Sequence, residues 1–348
     1  MRLLICTQAV DKNDSALGFF HAWLENFAKE CESVTVICLR KGKYSLPKNV
    51  EIISLGERHR ILRAFEVCTI AWGRRTEYDA VFVHMNPEYV VAAGWLWRLR
   101  GKRIGLWYVH NGLTTLLRIA HSFSNVVFTV SNETFPIQSS KVRITGHGID
   151  TDLFKPISAV DNFVGTSFRV VTTGRIAARK NTRKLIEAVL TFAQKHTNVV
   201  FDVYGEAVTK EEKKYADELK TWLPSSNTDG IVTLKGAVTH DQVPAALAGA
   251  SVFVNMGETG GVDKAVLEAM ACGIPVISTS SVHKPLLKRY PQLAAEDANG
   301  VVEALEYVFH LPHTVRTAMG EDLRTEVVEN HSLKPLISKI VWTLSQNK

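Results

Sequence analysis

The sequence predicts an α/β protein of two doubly wound, Rossmann-like domains. Three observations carry that expectation. Short β-branched runs alternate with longer amphipathic stretches, the rhythm of a parallel sheet covered by helices on both faces. The same rhythm restarts after an aperiodic stretch, KPISAVDNFVGTS at residues 155–167. The length of 348 residues, with 46% hydrophobic and 22% charged side chains, matches two ordinary folded domains rather than a disordered or fibrous chain.

In the first half the strands are RLLICTQ, VTVICL, AVFVHM and RIGLWYVH, each short and rich in branched residues. Between them the stretches Leu17 to Cys31, Ile61 to Arg74 and Glu88 to Arg100 have helical length and amphipathicity. The second half gives strands FRVVTTG, VVFDVYG, IVTLKG, SVFVNMG and PVISTS. Its helices are Thr182 to His196, the charged Lys210 to Leu223, His240 to Ala250 and Asp263 to Cys272, the last stopping at Gly273 before Pro275. A closing helix follows from Leu336, Ile337, Ile340, Val341 and Leu344 at helical spacing within Ser332 to Gln346. The expected domains are 1–157 and 158–330, with 331–348 packing back toward the first.

Composition removes several classes. The longest plausible apolar stretch, Tyr89 to Trp97, has nine residues, against roughly 20 needed to span a bilayer. The N-terminus reads as a first strand rather than a signal peptide, so the chain is expected in the cytoplasm. Five cysteines without C-x-x-C spacing argue for buried thiols over a disulfide framework or a zinc site. No G-x-G-x-x-G follows the first strand, and neither a P-loop nor a G-x-S-x-G elbow occurs.

Charge is unevenly placed. Residues 1–160 hold 20 Lys/Arg and 14 Asp/Glu while residues 161–348 hold 21 of each, so the net +6 belongs to the first half. Within it, residues 58–118 carry the excess together with Trp72, Trp95, Trp97 and Trp107. Arginines 58, 60, 63, 74, 75, 98, 100 and 103 with Lys102, interleaved with Trp72, Trp95 and Trp97, make a candidate face for an anionic membrane surface. No nucleic-acid module appears, and nucleic acid is not an expected partner.

Three segments carry site chemistry. In TTGRIAARKN a strand ends at Gly174, and Arg175 and Lys180 leave it near the next helix N-terminus; two cations and a positive helix end suit a diphosphate. In GETGGVDKAVLEAMACG a glycine turn lets backbone amides approach a ligand ahead of a helix, with Glu268 placed to accept from ribose hydroxyls. In GHGIDTDLFKP, Asp150 and Asp152 have the D-x-D spacing of a metal-diphosphate site but lie at a turn, where capping is favoured over metal binding.

GHGIDTDLFKP, GRIAARK, VTLKGAVTHDQVPAALAGASVFVN and DKAVLEAMACGIPVIST, in that order, resemble the retaining glycosyltransferases of family 4. That resemblance implies the GT-B fold, two Rossmann-like domains facing across a cleft, and transfer of a sugar from a nucleoside-diphosphate donor to an acceptor hydroxyl, a lipid-linked or cell-envelope glycan among the candidates. Arg175 and Lys180 match the family's diphosphate-binding cations, His110 a histidine that faces the donor sugar, and Glu268 the second Glu of E-x7-E. Gly260 stands where the first Glu is expected; Glu258, Asp263, or the Thr259-Gly260-Gly261 turn are the candidate substitutes. Gly18 corresponds to the first, glycine-containing donor loop. No cofactor or metal is implied. The alternatives are an epimerase or phosphorylase on the same fold, or a non-catalytic binder of anions or nucleic acid.

Overall fold

A computed structural model describes residues 1–14, 16–157, 167–223, 230–257 and 261–346. The chain divides into two compact units, Met1–Asp150 with Ser332–Lys348, and Thr151–His331. The division falls at 150/151 where the sequence suggested 157/158, and most of the expected junction lies outside the described residues.

The first unit holds a parallel sheet of β1 (Arg2–Val10), β2 (Ser33–Lys41), β3 (Val50–Ser54), β4 (Ala80–His84), β5 (Arg103–Trp107), β6 (Val126–Thr129) and β7 (Val142–Ile144), in the order β3-β2-β1-β4-β5-β6-β7. The helices are α1 (Phe20–Glu30), α2 (Arg60–Gly73), α3 (Pro87–Leu99) and α4 (Thr115–Phe123). Alternation along each strand divides the core into two layers. Val81 and Val83 join Val67, Val90, Ala93, Trp97 and Leu117 on the side of α2, α3 and α4. Phe82 points the other way, against Trp23 and Phe27 of α1. Trp97 is thus a core residue, fully buried, which corrects its expected place on a membrane-facing surface. Three cations of that expected surface are also tied down. Arg74 pairs with Glu51 at 2.7 Å and Glu77 at 2.9 Å, Lys102 donates to the Tyr78 carbonyl, and Arg103 donates to that of Gln346 at 2.7 Å.

The second unit has β8 (Phe168–Thr173), α5 (Thr182–Ala193), β9 (Val199–Tyr204), α6 (Lys210–Trp222), β10 (Val232–Gly236), α7 (Val243–Leu247), β11 (Val252–Asn255), α8 (Lys264–Ala271), β12 (Val276–Ser278), α9 (Ala298–His310) and α10 (His313–Asn330). Its sheet is parallel, in the order β10-β9-β8-β11-β12. Arg169, buried in β8, is satisfied by Asp202 at 2.8 Å and by the Ala246 and Ala248 carbonyls at 2.9 and 2.7 Å, which fixes α7 to the sheet. The stretch expected as one helix from His240 to Ala250 is a 3₁₀ turn, His240–Gln242, followed by the short α7 with Pro244 in its first turn.

The last helix, α11 (Leu333–Ser345), returns to the first unit and packs on α1 with Leu336, Ile337, Ile340 and Leu344 buried. Cys6, Cys31, Cys38 and Cys272 are buried and Cys68 half-buried, all as free thiols.

Candidate functional site

In a doubly wound sheet the crevice that receives a ligand opens at the carboxyl ends of the strands, where strand order reverses. In the second unit that reversal lies between β8 and β11. The loops leaving these two strands hold Arg175, Lys180 and Asp263. Gly174 (φ 136°) and Gly205 (φ 150°) end β8 and β9 in backbone regions closed to other residues, and a Cβ on Gly205 would lie 1.7 Å from the Gly174 oxygen.

Lys180 ends a 3₁₀ turn and forms an ion pair with Oδ2 of Asp263. Asn255, the last residue of β11, donates to the same oxygen at 3.1 Å, while its own Oδ1 accepts from the Gly257 N–H at 3.1 Å. Oδ1 of Asp263 caps α8 by accepting from Ala265 at 3.3 Å, and the Asp263 N–H donates to Nε2 of His283 at 3.0 Å. Because Nε2 accepts, the proton of neutral His283 sits on Nδ1 and is donated to the Ser278 hydroxyl at 2.7 Å. Burial pushes the His283 pKa from 6.5 to about 4, with Asp263 opposing and Lys180 assisting. Burial also works against the Asp263 carboxylate, but the Lys180 ammonium beside it outweighs this and holds the pKa below the usual range. Asn181 closes the arrangement by donating to the Met256 carbonyl at 3.1 Å, joining the loops after β8 and β11.

Arg175 is turned to a different acid. Its guanidinium lies 3.4 Å from Oε1 of Glu212, which also receives Arg179 at 3.8 Å. Oε2 of the same buried carboxylate accepts from the Val208 and Thr209 N–H groups at 2.9 and 3.1 Å, completing a capping box at the start of α6. Glu268 is buried in α8, and its Oε1 is 3.1 Å from Nε2 of His240, whose ring meets Phe154 edge-on. One turn earlier, burial drives the Lys264 pKa well down, with Glu268 opposing.

The structure therefore joins two of the predicted residues directly, Lys180 and Asp263, and places Glu268 on the helix that Asp263 caps. Arg175 is brought to the same loop but held by Glu212. Glu258, Thr259 and Gly260 lie outside the described residues, and Gly261 is half-buried just ahead of α8. Sequence reasoning missed Asn255, His283, His240 and Glu212. Only Glu212 had a local signal, the Thr209-x-x-Glu212 spacing of a capping box.

The corresponding reversal in the first unit lies between β1 and β4. Gly18, in the loop after β1, donates its N–H to the Asp14 carbonyl at 2.8 Å, and a Cβ there would come within 2.7 Å of that oxygen. After β4, Met85 has φ 61°, and Asn86 follows as the residue ahead of α3. His110 lies beyond β5 with its ring exposed; its Nδ1 accepts from Gly112 at 2.8 Å, so the neutral ring presents Nε2–H outward.

Among the described residues one His/Glu group has metal-ligand spacing, His196, Glu306 and His310. It lies where α5 leads into β9 and where α9 ends, at the amino ends of the strands and so opposite the crevice.

Residues 167–310 match the family model described as Glycosyl transferases group 1. This segment belongs to that family. Over 215 residues the group 1 glycosyl transferase chain is 26% identical to a phosphatidylinositol N-acetylglucosaminyltransferase component of Arabidopsis thaliana, covering 57% of this chain and 46% of that protein. Over 168 residues it is 26% identical to the putative colanic acid biosynthesis glycosyltransferase WcaL of Escherichia coli K12, covering 46% of this chain and 37% of the other. It spans less than half the length of these curated relatives. Among solved structures, Anabaena Alr3699/HepE in complex with UDP and glucose superposes with a TM-score of 0.80 at 16% identity, each chain covered fully. Sucrose-phosphate synthase from Thermosynechococcus elongatus gives 0.76 at 16% identity, covering 99% of this chain and 98% of that one. These likenesses are of fold, and the fold is GT-B.

Proposed function

We propose that the chain is a retaining glycosyltransferase of family 4 type, moving a sugar from a nucleoside-diphosphate donor to an acceptor hydroxyl. The second unit takes the donor and the first the acceptor. One observation carries this reading: Lys180 and the N-terminus of α8 stand in the two loops that flank the strand-order reversal of the second sheet. A cation and a helix N-terminus at that point suit a diphosphate. The HepE complex with UDP and glucose supports a uridine nucleotide. The names of the two curated relatives support an acceptor borne on lipid or belonging to the cell envelope.

In the proposed reaction the bond from the anomeric carbon to the diphosphate oxygen breaks as the acceptor oxygen bonds on the same face. The acceptor proton passes to the leaving diphosphate, so no protein nucleophile takes part. Lys180 and Arg175 stabilise the charge that grows on the leaving group, and Asp263 aims the Lys180 ammonium. Glu268 holds the ribose hydroxyls, with His240 fixing the carboxylate. His110 offers its Nε2–H to a sugar hydroxyl. The turn at residues 258–261 replaces the missing first acid of the family motif. No divalent metal is needed, and the enzyme works in the cytoplasm at a membrane surface. No helix among the described residues is long and apolar enough to cross a membrane.

Incubation with UDP-sugars and a panel of lipid-linked and soluble acceptors tests this. A new glycoside with the donor's anomeric configuration, lost in Lys180→Ala, is the expected result. Inversion, or turnover without any new glycosidic bond, overturns it.

A further inference from the structure

The first unit contains a second cavity that the donor chemistry does not use. It measures about 430 Å³ and lies between α2 and α3, with Leu39, Leu55, Val67, Tyr89 and Ala92 in its apolar wall. Arg60 and Arg63 stand at its mouth, with Glu88 also at the rim. Neither arginine has a carboxylate partner among the described residues, whereas Arg58 is held by Glu66 at 3.0 Å. In the same wall Oδ1 of Asn86 is buried without a hydrogen-bond partner. A buried carbonyl oxygen left unpaired costs about 1–3 kcal/mol, so a donor brought by a ligand is the natural complement.

The outer face of α2 is as unusual as its inner one. Ile61, Leu62 and Phe65 are 61%, 58% and 68% exposed within a little over one turn, beside Arg60 and Arg63. Trp72 continues the stripe two turns on, under the guanidinium groups of Arg75 at 4.7 Å and Arg100 at 5.7 Å, and α3 adds exposed Trp95 and Leu99. Large contiguous apolar exposure marks an interaction surface. Arginines interspersed with Leu, Ile, Phe and Trp on a helix match the chemistry of an anionic bilayer interface rather than of a peptide groove.

We propose that this face binds an anionic membrane lipid, its hydrocarbon chain lying in the α2–α3 groove, its phosphate on Arg60 and Arg63, and a hydroxyl or amide of its head group donating to Asn86. The identification of that lipid with the carrier of the acceptor rests on the transferase reading above.

Flotation of the full chain with phosphatidylcholine vesicles, with and without phosphatidylglycerol, tests the surface. Wild type should float with the anionic vesicles only. Arg60→Gln with Arg63→Gln should weaken that binding roughly thirtyfold, at about 1 kcal/mol per arginine, and Ile61→Ser with Phe65→Ser should abolish it. Dodecyl phosphate below its micelle concentration should raise the melting temperature, and inorganic phosphate should not. Absence of flotation, flotation unchanged in both variants, or an equal shift from inorganic phosphate overturns the proposal. UDP titration of all three proteins separates the two readings. Flotation with the dodecyl phosphate shift but no UDP binding supports the lipid site while counting against the transferase assignment.

Discussion

Lys180 and Asp263 act as a unit, because each sits where the other makes its charge tolerable. Removing the ammonium leaves a buried carboxylate without its cation and removes a contact to the departing diphosphate. Lys180→Ala and Arg175→Ala should each lower kcat/KM by the equivalent of about 2–4 kcal/mol. Wild-type turnover in both would exclude these roles. Only Lys180→Ala should also lower the melting temperature by an amount expected for breaking a buried pair. Glu268→Gln should weaken nucleotide binding in a UDP titration while leaving the melting temperature near wild type; unchanged affinity would make it a helix carboxylate bound to His240 and nothing more. His283 sets a pH dependence. The unfolded imidazole takes up a proton near pH 6.5 and the folded one only near pH 4, so acid favours unfolding within that window. About 2 kcal/mol of stability should be lost between pH 6.5 and 5 from this group. The depressed Asp263 pKa acts in the same direction, since its stabilisation is present above the ordinary carboxylate range and is lost as pH falls below it. Urea melts across pH check the first effect, and His283→Asn should flatten that part of the curve.

At the scale of elements, α10 approaches the α8–β12 turn so closely that a Cβ on Gly320 would lie 1.9 Å from the Gly273 oxygen. The obstacle is backbone on both sides, so neither partner can rotate away. Gly320→Ala should cost about 3 kcal/mol or more, read as a lower urea midpoint with an unchanged m-value. The same contact positions α8, whose capped N-terminus carries Asp263, and a measurable fall in UDP affinity should accompany the loss of stability. Arg324, one turn along α10, supports this arrangement by donating to the carbonyls of Ala271 and, at 2.8 Å, Phe154.

For the whole molecule, the decisive feature is that the last segment completes the first unit. Helix α11 contributes Leu333, Leu336, Ile337, Ile340, Val341 and Leu344 to its core. At roughly 1.5–3 kcal/mol for each buried side chain, their removal exceeds the stability of an ordinary domain. Truncation after His331 should leave the first unit unfolded, seen as loss of its melting transition and aggregation on expression. A cooperative transition at the wild-type temperature would show the helix to be dispensable. Transfer activity should survive EDTA, because Arg175, Lys180 and the α8 N-terminus supply the positive charge that Mg²⁺ supplies elsewhere. Activity abolished by EDTA and restored by Mg²⁺ would return Asp150 and Asp152 to consideration as ligands.

What the sequence determined by itself was periodicity and local chemistry. Runs such as AVFVHM and SVFVNMG announce buried parallel strands because both of their faces are covered, and the segment GRIAARKN places two cations at a strand end without reference to the rest of the chain. Helices α4, α9 and α10 and strands β3, β6 and β7 went unmarked, since a three-residue strand or a helix whose buried residues, like Met319, Leu323 and Val327, are few and widely spaced carries little pattern. Tertiary structure alone decided the partners. That Lys180 meets Asp263 across 83 residues, that Glu268 meets His240, and that Trp97 is core while Trp95 is exposed all follow from strand order and helix rotation. These are long-range properties set by which surfaces bury best together, and no local run of residues encodes them.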